Sequence, residues 1–528
     1  MCSIRRPLCI TRVSAVRQFN LRADALKRKL DKYFAEHKPQ AGHGRESLHS
    51  GVAFVAVRGV NMLVQLGSTI LLARMLSPHD YGLVVMVLAL VVFAPMLIDL
   101  GTTDAIVQKK SITQADASAL FWLKVAIGGA LTLLLAGGSG FIASFYGVPA
   151  VAGIAVVLAL SLVVTALSSQ HFALMRRAMQ FRRIAIIEIF SNVVSSIIAI
   201  AMAFTGWGYW ALVAKAMLTP VLSALGAWMS CPWLPGRPQS TPDLKEMVRF
   251  GMGVTGFTIT DHLARSADRI ALGYFYGAAQ LGYFQNAALL YDNILATSTQ
   301  LHDVAVSSLS KLRDAVDELK RMWATALSSL TFFTALAFAG LAVTGSDIVV
   351  LLLGQKWEPA GPLFCIFAVR GIAHVVERTL GWLHVSAGRP DRWMRWGFFS
   401  AIFQLLAVFA GLPFGLVGVA TAHAIATFCL FLPALVYAGR PLGIGAKDVL
   451  RAVGPQTASA LIAVAIGITV QEALLSDLSR LARIFVSGLV CLTAYLAVIV
   501  GVFRVTAPLR LAFSLLRDFN PSRLLRGS

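Results

Sequence analysis

The residues best placed to do chemistry in this sequence are arginines set into apolar runs. Arg58, Asn61, Gln65 and Ser68 recur at i, i+3, i+7 and i+10, which puts a single polar stripe on an otherwise apolar helix. Asp261, Arg265, Asp268 and Arg269 form a second stripe with His262 beside it, and Arg370, His374, Glu377 and Arg378 form a third. Glu188, Asn192 and Ser195 make a shorter one, and Lys215 stands in the next apolar run. A charge at the centre of a membrane helix costs about 2.5–3.5 kcal/mol on insertion scales, so it faces a cavity or a partner. Two readings are open. Neighbours one turn apart can pair within a helix, Asp261 with Arg265 and Arg370 with His374 or Glu377. Alternatively the guanidinium groups face a cavity and hold an oxyanion through paired hydrogen bonds, which an ammonium cannot match.

The elements that must position these groups are membrane helices. Of 528 residues, 57% are hydrophobic and 14% charged, against roughly a quarter charged in a soluble domain. Apolar runs of about 20 residues recur along the chain, long enough to cross a ~30 Å hydrocarbon core. The expected fold is all-α and polytopic, with about 14 transmembrane helices arranged as two pseudo-symmetric six-helix lobes plus a C-terminal pair. The expected organisation is a basic extension (1–48), an N-lobe of spans 1–6 (49–232), a linker (233–246), a C-lobe of spans 7–12 (247–440), spans 13–14 (441–505) and a basic tail (506–528).

Loop charge orients this threading. One set of connections carries Lys109 and Lys110; Arg176, Arg177, Arg182 and Arg183; Lys311, Arg313, Lys320 and Arg321; and Arg440, Lys447 and Arg451. The opposite loops carry little beyond Arg74, Lys356 and Arg480. Both termini are therefore expected in the cytoplasm, with the formal net charge of +20 directed at anionic lipid headgroups and not at nucleic acid, for which no motif is present. The first apolar run begins near Gly51, so no cleavable leader is expected, and residues 13–34 read either as an amphipathic helix or as a basic tail. The six cysteines have no metal-type spacing and no disulfide is expected.

The sequence also echoes itself. An offset of 200 aligns Gly82 with Gly282 and Leu72 with Leu272, and a second echo brings Gly208 onto Gly415. An even number of helices separates the copies, so they share one orientation, as in transporters built from parallel repeats.

Several short motifs carry a family resemblance: Leu76-Ser-Pro-His-Asp-Tyr-Gly-Leu83, Asp99-Leu-Gly101, Arg176-Arg-Ala-Met-Gln-Phe-Arg182, Gly206-Trp-Gly-Tyr-Trp210, Gly354-Gln-Lys-Trp357 and Gly388-Arg-Pro390. In type and order they resemble the Wzx/WzxC-type polysaccharide exporters of the multidrug/oligosaccharidyl-lipid/polysaccharide flippase superfamily, over about residues 48–505. The resemblance implies translocation of an undecaprenyl-diphosphate-linked oligosaccharide across the inner membrane for exopolysaccharide, capsule or O-antigen assembly. It also implies alternating access, membrane lipids as partners, and a polymerase and co-polymerase of the same pathway.

On that reading Arg58, Arg265, Arg269, Arg370 and Arg378 are the candidate diphosphate ligands, and Asn61, Gln65, Asn192 and Lys215 the polar cavity wall. Asp261, Asp268, Asp292, Glu188 and Glu377 are candidate coupling carboxylates; Asp99 and Asp104, past Pro95, are gate or helix-cap candidates. Trp207, Tyr209 and Tyr291 read as interface anchors or as sugar-stacking groups. His171, His302, His384 and His423 read as packing residues, not metal ligands. No GxxxxGK[ST] element is present, and neither a cofactor nor a catalytic site is expected. The alternatives are a cation-coupled drug antiporter on the same fold and a membrane polymerase or glycosyltransferase. Several cavity cations oppose the first, and short, nearly uncharged outer loops oppose the second.

Overall fold

The computed structural model describes residues 33–34, 44–109, 111–239, 242–299, 316–386, 389–475 and 477–510; within these, the side chains at 44–58 and 253–265 are among those outside the described set. All regular elements described are helical. They are α1 (Gly44–Met75), α2 (Pro78–Val91), α3 (Ala94–Asp99), α4 (Thr102–Gln108), α5 (Gln114–Gly137), α6 (Ser139–Tyr146), α7 (Ala150–Arg177), α8 (Phe181–Phe204) and α9 (Trp210–Ser230). The series continues with α10 (Pro242–Thr299), α11 (Val316–Leu353), α12 (Ala360–Arg378), α13 (Leu380–Ser386), α14 (Pro390–Gly411), α15 (Gly415–Gly439), α16 (Ala446–Leu474) and α17 (Arg480–Leu496). Ten helical stretches among the described residues are long and apolar enough to cross a bilayer; α1 and α10, whose side chains are only partly described, are not among the ten. Leu133 and Phe204 are 76% and 78% exposed, a surface that suits lipid and not water. The chain is a polytopic α-helical membrane protein.

It divides into two compact units, residues 1–68 with 90–259, and residues 69–89 with 260–528. In the first, α5 packs on α7, α7 on α9 and α9 on α8. One end of this bundle closes over a buried core that includes Ile106, Phe121, Leu174, Trp233 and Met247. Arg177 donates to the carbonyls of Ile106 (2.5 Å) and Lys109 (2.6 Å), so it satisfies acceptors that α4 leaves open at its C-terminus.

The second unit is organised on α11, which packs against α12, α16 and α17. The last two apolar spans are thus built into this unit. Arg483 of α17 forms an ion pair with Asp347 of α11, its Nε donating at 2.6 Å, and the Tyr495 hydroxyl donates to the Phe332 carbonyl at 2.9 Å. Gln456 of α16 donates to Ser328 Oγ at 2.7 Å.

The three basic residues of the loops that otherwise lack lysine and arginine have structural partners here. Arg74 donates from Nε to the Leu352 carbonyl (2.8 Å) and from Nη2 to that of Leu351 (2.6 Å), at the C-terminus of α11. Lys356 donates to the Arg74 carbonyl (2.9 Å), and the Trp357 indole N–H to that of Ala73 (2.8 Å). Arg480 donates to Gln355 Oε1 at 2.6 Å. Cations and donors at helix C-termini satisfy open carbonyls and complement the helix dipole, so Arg74 and Lys356 are exceptions to the loop-charge pattern for a local reason.

The offset of 200 also acquires a physical meaning. A Cβ on Gly82 would lie 1.7 Å from the Ala278 carbonyl oxygen, and a Cβ on Gly282 would lie 1.9 Å from that of Pro78. Residues 78 and 278, like 82 and 282, are repeat equivalents, so the contact is reciprocal, as at a two-fold axis. Both sides present small-residue helix faces that let backbones touch, the packing typical of membrane helices.

Candidate functional site

The first unit brings two of the sequence stripes together with Lys215. Asn192 Nδ2 of α8 donates to Asn61 Oδ1 of α1 at 3.0 Å. Lys215 Nζ of α9 donates to Ser68 Oγ at 2.6 Å, and Ser68 in turn donates to the Gln65 carbonyl at 3.0 Å. Ser195 and Thr219 share a hydroxyl contact of 2.8 Å. Lys215 is half-buried and makes no ion pair among the described residues. The result is a polar seam holding an ammonium that, among the described residues, donates to a hydroxyl and meets no carboxylate. Gln65 and Glu188 are exposed. The side chain of Arg58 lies outside the described set.

Asp99 sits where the second span breaks. Leu100 and Gly101 have φ of 47° and 65°, a left-handed pair that ends α3 and restarts the chain as α4. Such a conformation is costly for leucine and persists where the surroundings over-determine it. Asp99 accepts from Thr103 Oγ1 at 2.5 Å and from Lys124 Nζ of α5 at 2.8 Å. Lys124 also donates to Ser169 Oγ at 3.2 Å. The Lys124 side chain is 1% exposed and that of Asp99 27%. Sequence reasoning missed Lys124. The signal available was a lone lysine inside an apolar span, with nothing to say which helix it would meet. Asp104 is exposed.

In the second unit, α10, α12 and α15 converge. Arg269 Nε donates to Gln285 Oε1 at 2.6 Å, and buried Asp268 accepts the Arg269 backbone N–H at 2.7 Å. Arg370 Nε donates to Thr427 Oγ1 of α15 at 3.0 Å, and its guanidinium lies 5.9 Å from the Tyr291 ring centroid. The Tyr291 hydroxyl and His374 Nδ1 are 2.6 Å apart. Asp268 lies within electrostatic reach of Arg269, Arg370 and Asp292, and Tyr291 within reach of Arg370, Asp292, Glu377 and Arg378. Asp292 and Arg378 are exposed and Glu377 is half-buried. Asp261, His262 and Arg265 have side chains outside the described set.

Tyr291 is 2% exposed, so it is neither an interface anchor nor a free stacking platform; it ties α10 to α12. Gln285, Gln404 and Thr427 also belong to this polar cluster and were not singled out from sequence, since an isolated amide or hydroxyl in an apolar run gives little signal. His171 lies against Trp228 with ring centroids 4.3 Å apart, His384 and His423 are buried, and His302 lies outside the described residues. An apolar groove of about 490 Å³ opens between α12 and α15, lined by Ile366, Val369, Ala424, Ile425 and Phe428.

Two helical units carrying polar seams and arginines within apolar helices define a membrane transporter. Among solved structures, the chain is similar to "Lipid II flippase MurJ, inward closed conformation" (TM-score 0.66, 15% identity, 86% of this chain and 99% of that one). It is also similar to an inward-facing multidrug resistance MATE family transporter of the MOP superfamily (TM-score 0.59, 13% identity, 74% and 98%). Residues 71–362 match the family described as "Polysaccharide biosynthesis protein", and the chain belongs to that family. It is 25% identical over 381 residues to the lipopolysaccharide biosynthesis protein WzxC of Escherichia coli (strain K12), covering 70% of this chain and 75% of that protein. It is 25% identical over 346 residues to the teichuronic acid biosynthesis protein TuaB of Bacillus subtilis (strain 168), covering 65% and 71%. The succinoglycan biosynthesis transport protein ExoT of Rhizobium meliloti (strain 1021) is 23% identical over 348 residues, covering 65% and 69%.

Proposed function

We propose that this chain is a flippase that moves an undecaprenyl-diphosphate-linked oligosaccharide across the inner membrane for surface polysaccharide assembly. The observation that carries the reading is the placement of Arg269 and Arg370, both half-buried and hydrogen-bonded to Gln285 and Thr427, within apolar helices of the second unit, two of which also form the groove lined by Val369 and Phe428. Guanidinium groups suit diphosphate oxygens, and an apolar groove suits a polyprenyl chain. Arg58, Arg265 and Arg378 are assigned to the same headgroup. Asn61, Gln65, Asn192 and Lys215 form the corresponding polar wall of the first unit. Translocation runs by alternating access of the two lobes, with Asp268 the leading coupling carboxylate because it is buried among arginines. Asp261, Asp292, Glu188 and Glu377 take supporting roles in coupling or gating. Both termini face the cytoplasm, and a polymerase and co-polymerase of the same pathway are the expected partners. The protein acts as a transporter and performs no bond chemistry.

Deleting the gene tests the function directly. Lipid-linked oligosaccharide should accumulate on the inner leaflet while surface polysaccharide is lost. Unchanged glycan with altered drug sensitivity would instead identify a cation-coupled antiporter. The site is tested by single Arg269→Gln and Arg370→Gln variants at matched membrane abundance. A charge-assisted hydrogen bond contributes about 1.5–3 kcal/mol, so each should lower export on the order of 10–100-fold. Wild-type export in both variants would remove these arginines from the headgroup site.

A further inference from the structure

A second cleft lies away from this cluster, at the end of the second unit where α11 and α16 begin. It has a volume of about 390 Å³ and is walled by the first turns of α11, by α16 and by the chain at Ala507 and Pro508 after α17. Lys320, Arg321 and Arg451 line it together with Asp448. Three cations thus face one carboxylate, and that carboxylate already accepts the Gly445 N–H at 2.9 Å. None of the three cations makes an ion pair among the described residues. Lys320 Nζ is drawn across to the turn after α15, lying 3.2 Å from where a Cβ of Gly443 would stand.

The deep wall is Trp323, 1% exposed, whose indole N–H has no hydrogen-bond partner among the described residues. A buried indole donor without an acceptor is unusual, because tryptophan in a core normally finds one. Lysine and arginine clustered at a helix end are the composition of a headgroup-level site. A ligand here meets positive charge from Lys320, Arg321 and Arg451 and the hydroxyls of Thr325 and Ser329.

We infer that this cleft binds the phosphate of an anionic glycerophospholipid, with Lys320 and Arg451 as the charge ligands and Trp323 as the floor. Basic pockets between membrane helices recognise such headgroups through the phosphodiester. Because the cleft joins the start of α11, the start of α16 and the end of α17, a lipid seated there clamps the last two helices to the second unit. This site is independent of the cargo site, since none of its residues belongs to the Arg269–Arg370 cluster.

The test uses the full-length protein purified in detergent. Mixed micelles containing phosphatidylglycerol should raise the melting midpoint, and native mass spectrometry should show phosphatidylglycerol retained on the protein. In Lys320→Gln/Arg451→Gln, retention should fall at least tenfold while export in cells stays near wild type. Trp323→Phe keeps the ring and removes the N–H, and should weaken retention by a smaller factor; it serves if the double variant is poorly expressed. Equal retention of phosphatidylcholine and phosphatidylglycerol, or wild-type retention in the double variant, would overturn the inference. Stabilisation by inorganic phosphate alone, with no retained lipid, would also overturn it, by assigning the cleft to a free anion.

Discussion

Gly82→Ala and Gly282→Ala should each reduce export by about tenfold or more, and together they should do little worse than either one. The cause is steric and local. In the wild-type protein the two glycines stand against backbone carbonyl groups, at 1.7 and 1.9 Å from the positions a Cβ would need. Backbone cannot rotate away as a flexible side chain can, so α2 and the second half of α10 must part. Overpacking a tight contact costs about 1–3 kcal/mol, occasionally more, and here it removes a helix crossing as well. Because both substitutions open the same crossing, their effects should not add. Gly129→Ala is the control, since a Cβ there meets nothing within 4 Å. Export and detergent melting at matched abundance are the measurements. If Gly82→Ala and Gly129→Ala behave alike, the crossing has no role in the transport cycle or in stability.

The second large effect is expected from Asp99→Asn. Lys124 is held in an almost fully buried position by that carboxylate, with Ser169 as a minor partner. Removing the carboxylate leaves a buried ammonium uncompensated, a change that costs about 3–5 kcal/mol. The opposite change, Lys124→Met, should cost distinctly less. Asp99 is 27% exposed and keeps its bond from Thr103. The double variant Asp99→Asn/Lys124→Met should recover most of the loss in melting midpoint, because neither charge then remains buried alone. Equal penalties from the two single changes, with no recovery in the double, would mean that the pair is not the unit of stability. The break at Leu100 and Gly101 adds a reason to measure export as well. A helix interrupted by left-handed backbone beside an ion pair is where a transporter helix can bend.

The cluster in the second unit shows where periodicity stops being informative. Arg370, His374, Glu377 and Arg378 were visible as one face of one helix. What that face meets was not. Arg370 reaches Thr427, 57 residues away, and His374 reaches Tyr291, 83 residues away. Polar partners at such separations leave no local pattern, so Gln285, Thr427 and Lys124 had no signal beyond being polar in an apolar run. Tyr291 was misjudged as a possible interface anchor for the same reason: an aromatic near a span does not announce its depth.

The sequence by itself determined the membrane class, the helical character and the family. Those properties are sums over many residues: apolar length sets what can cross a bilayer, and turn motifs such as Gly354-Gln-Lys-Trp357 mark helix ends. It also held the repeat, since Gly82 and Gly282 stand 200 residues apart in matching surroundings. Only the tertiary structure decided that Gly82 meets Ala278 while Gly282 meets Pro78, because a reciprocal contact depends on how two hairpins cross. It likewise attached α17 to α11 through Arg483 and Asp347, and α16 to α11 through Gln456 and Ser328. It placed residues 69–89 in the second unit, although they precede most of the first in the chain. Hydropathy says how far a segment extends into lipid, but in a bilayer every helix is apolar all round. Which helix it packs against rests on a few small residues and buried polar pairs that become legible only once the partners are side by side.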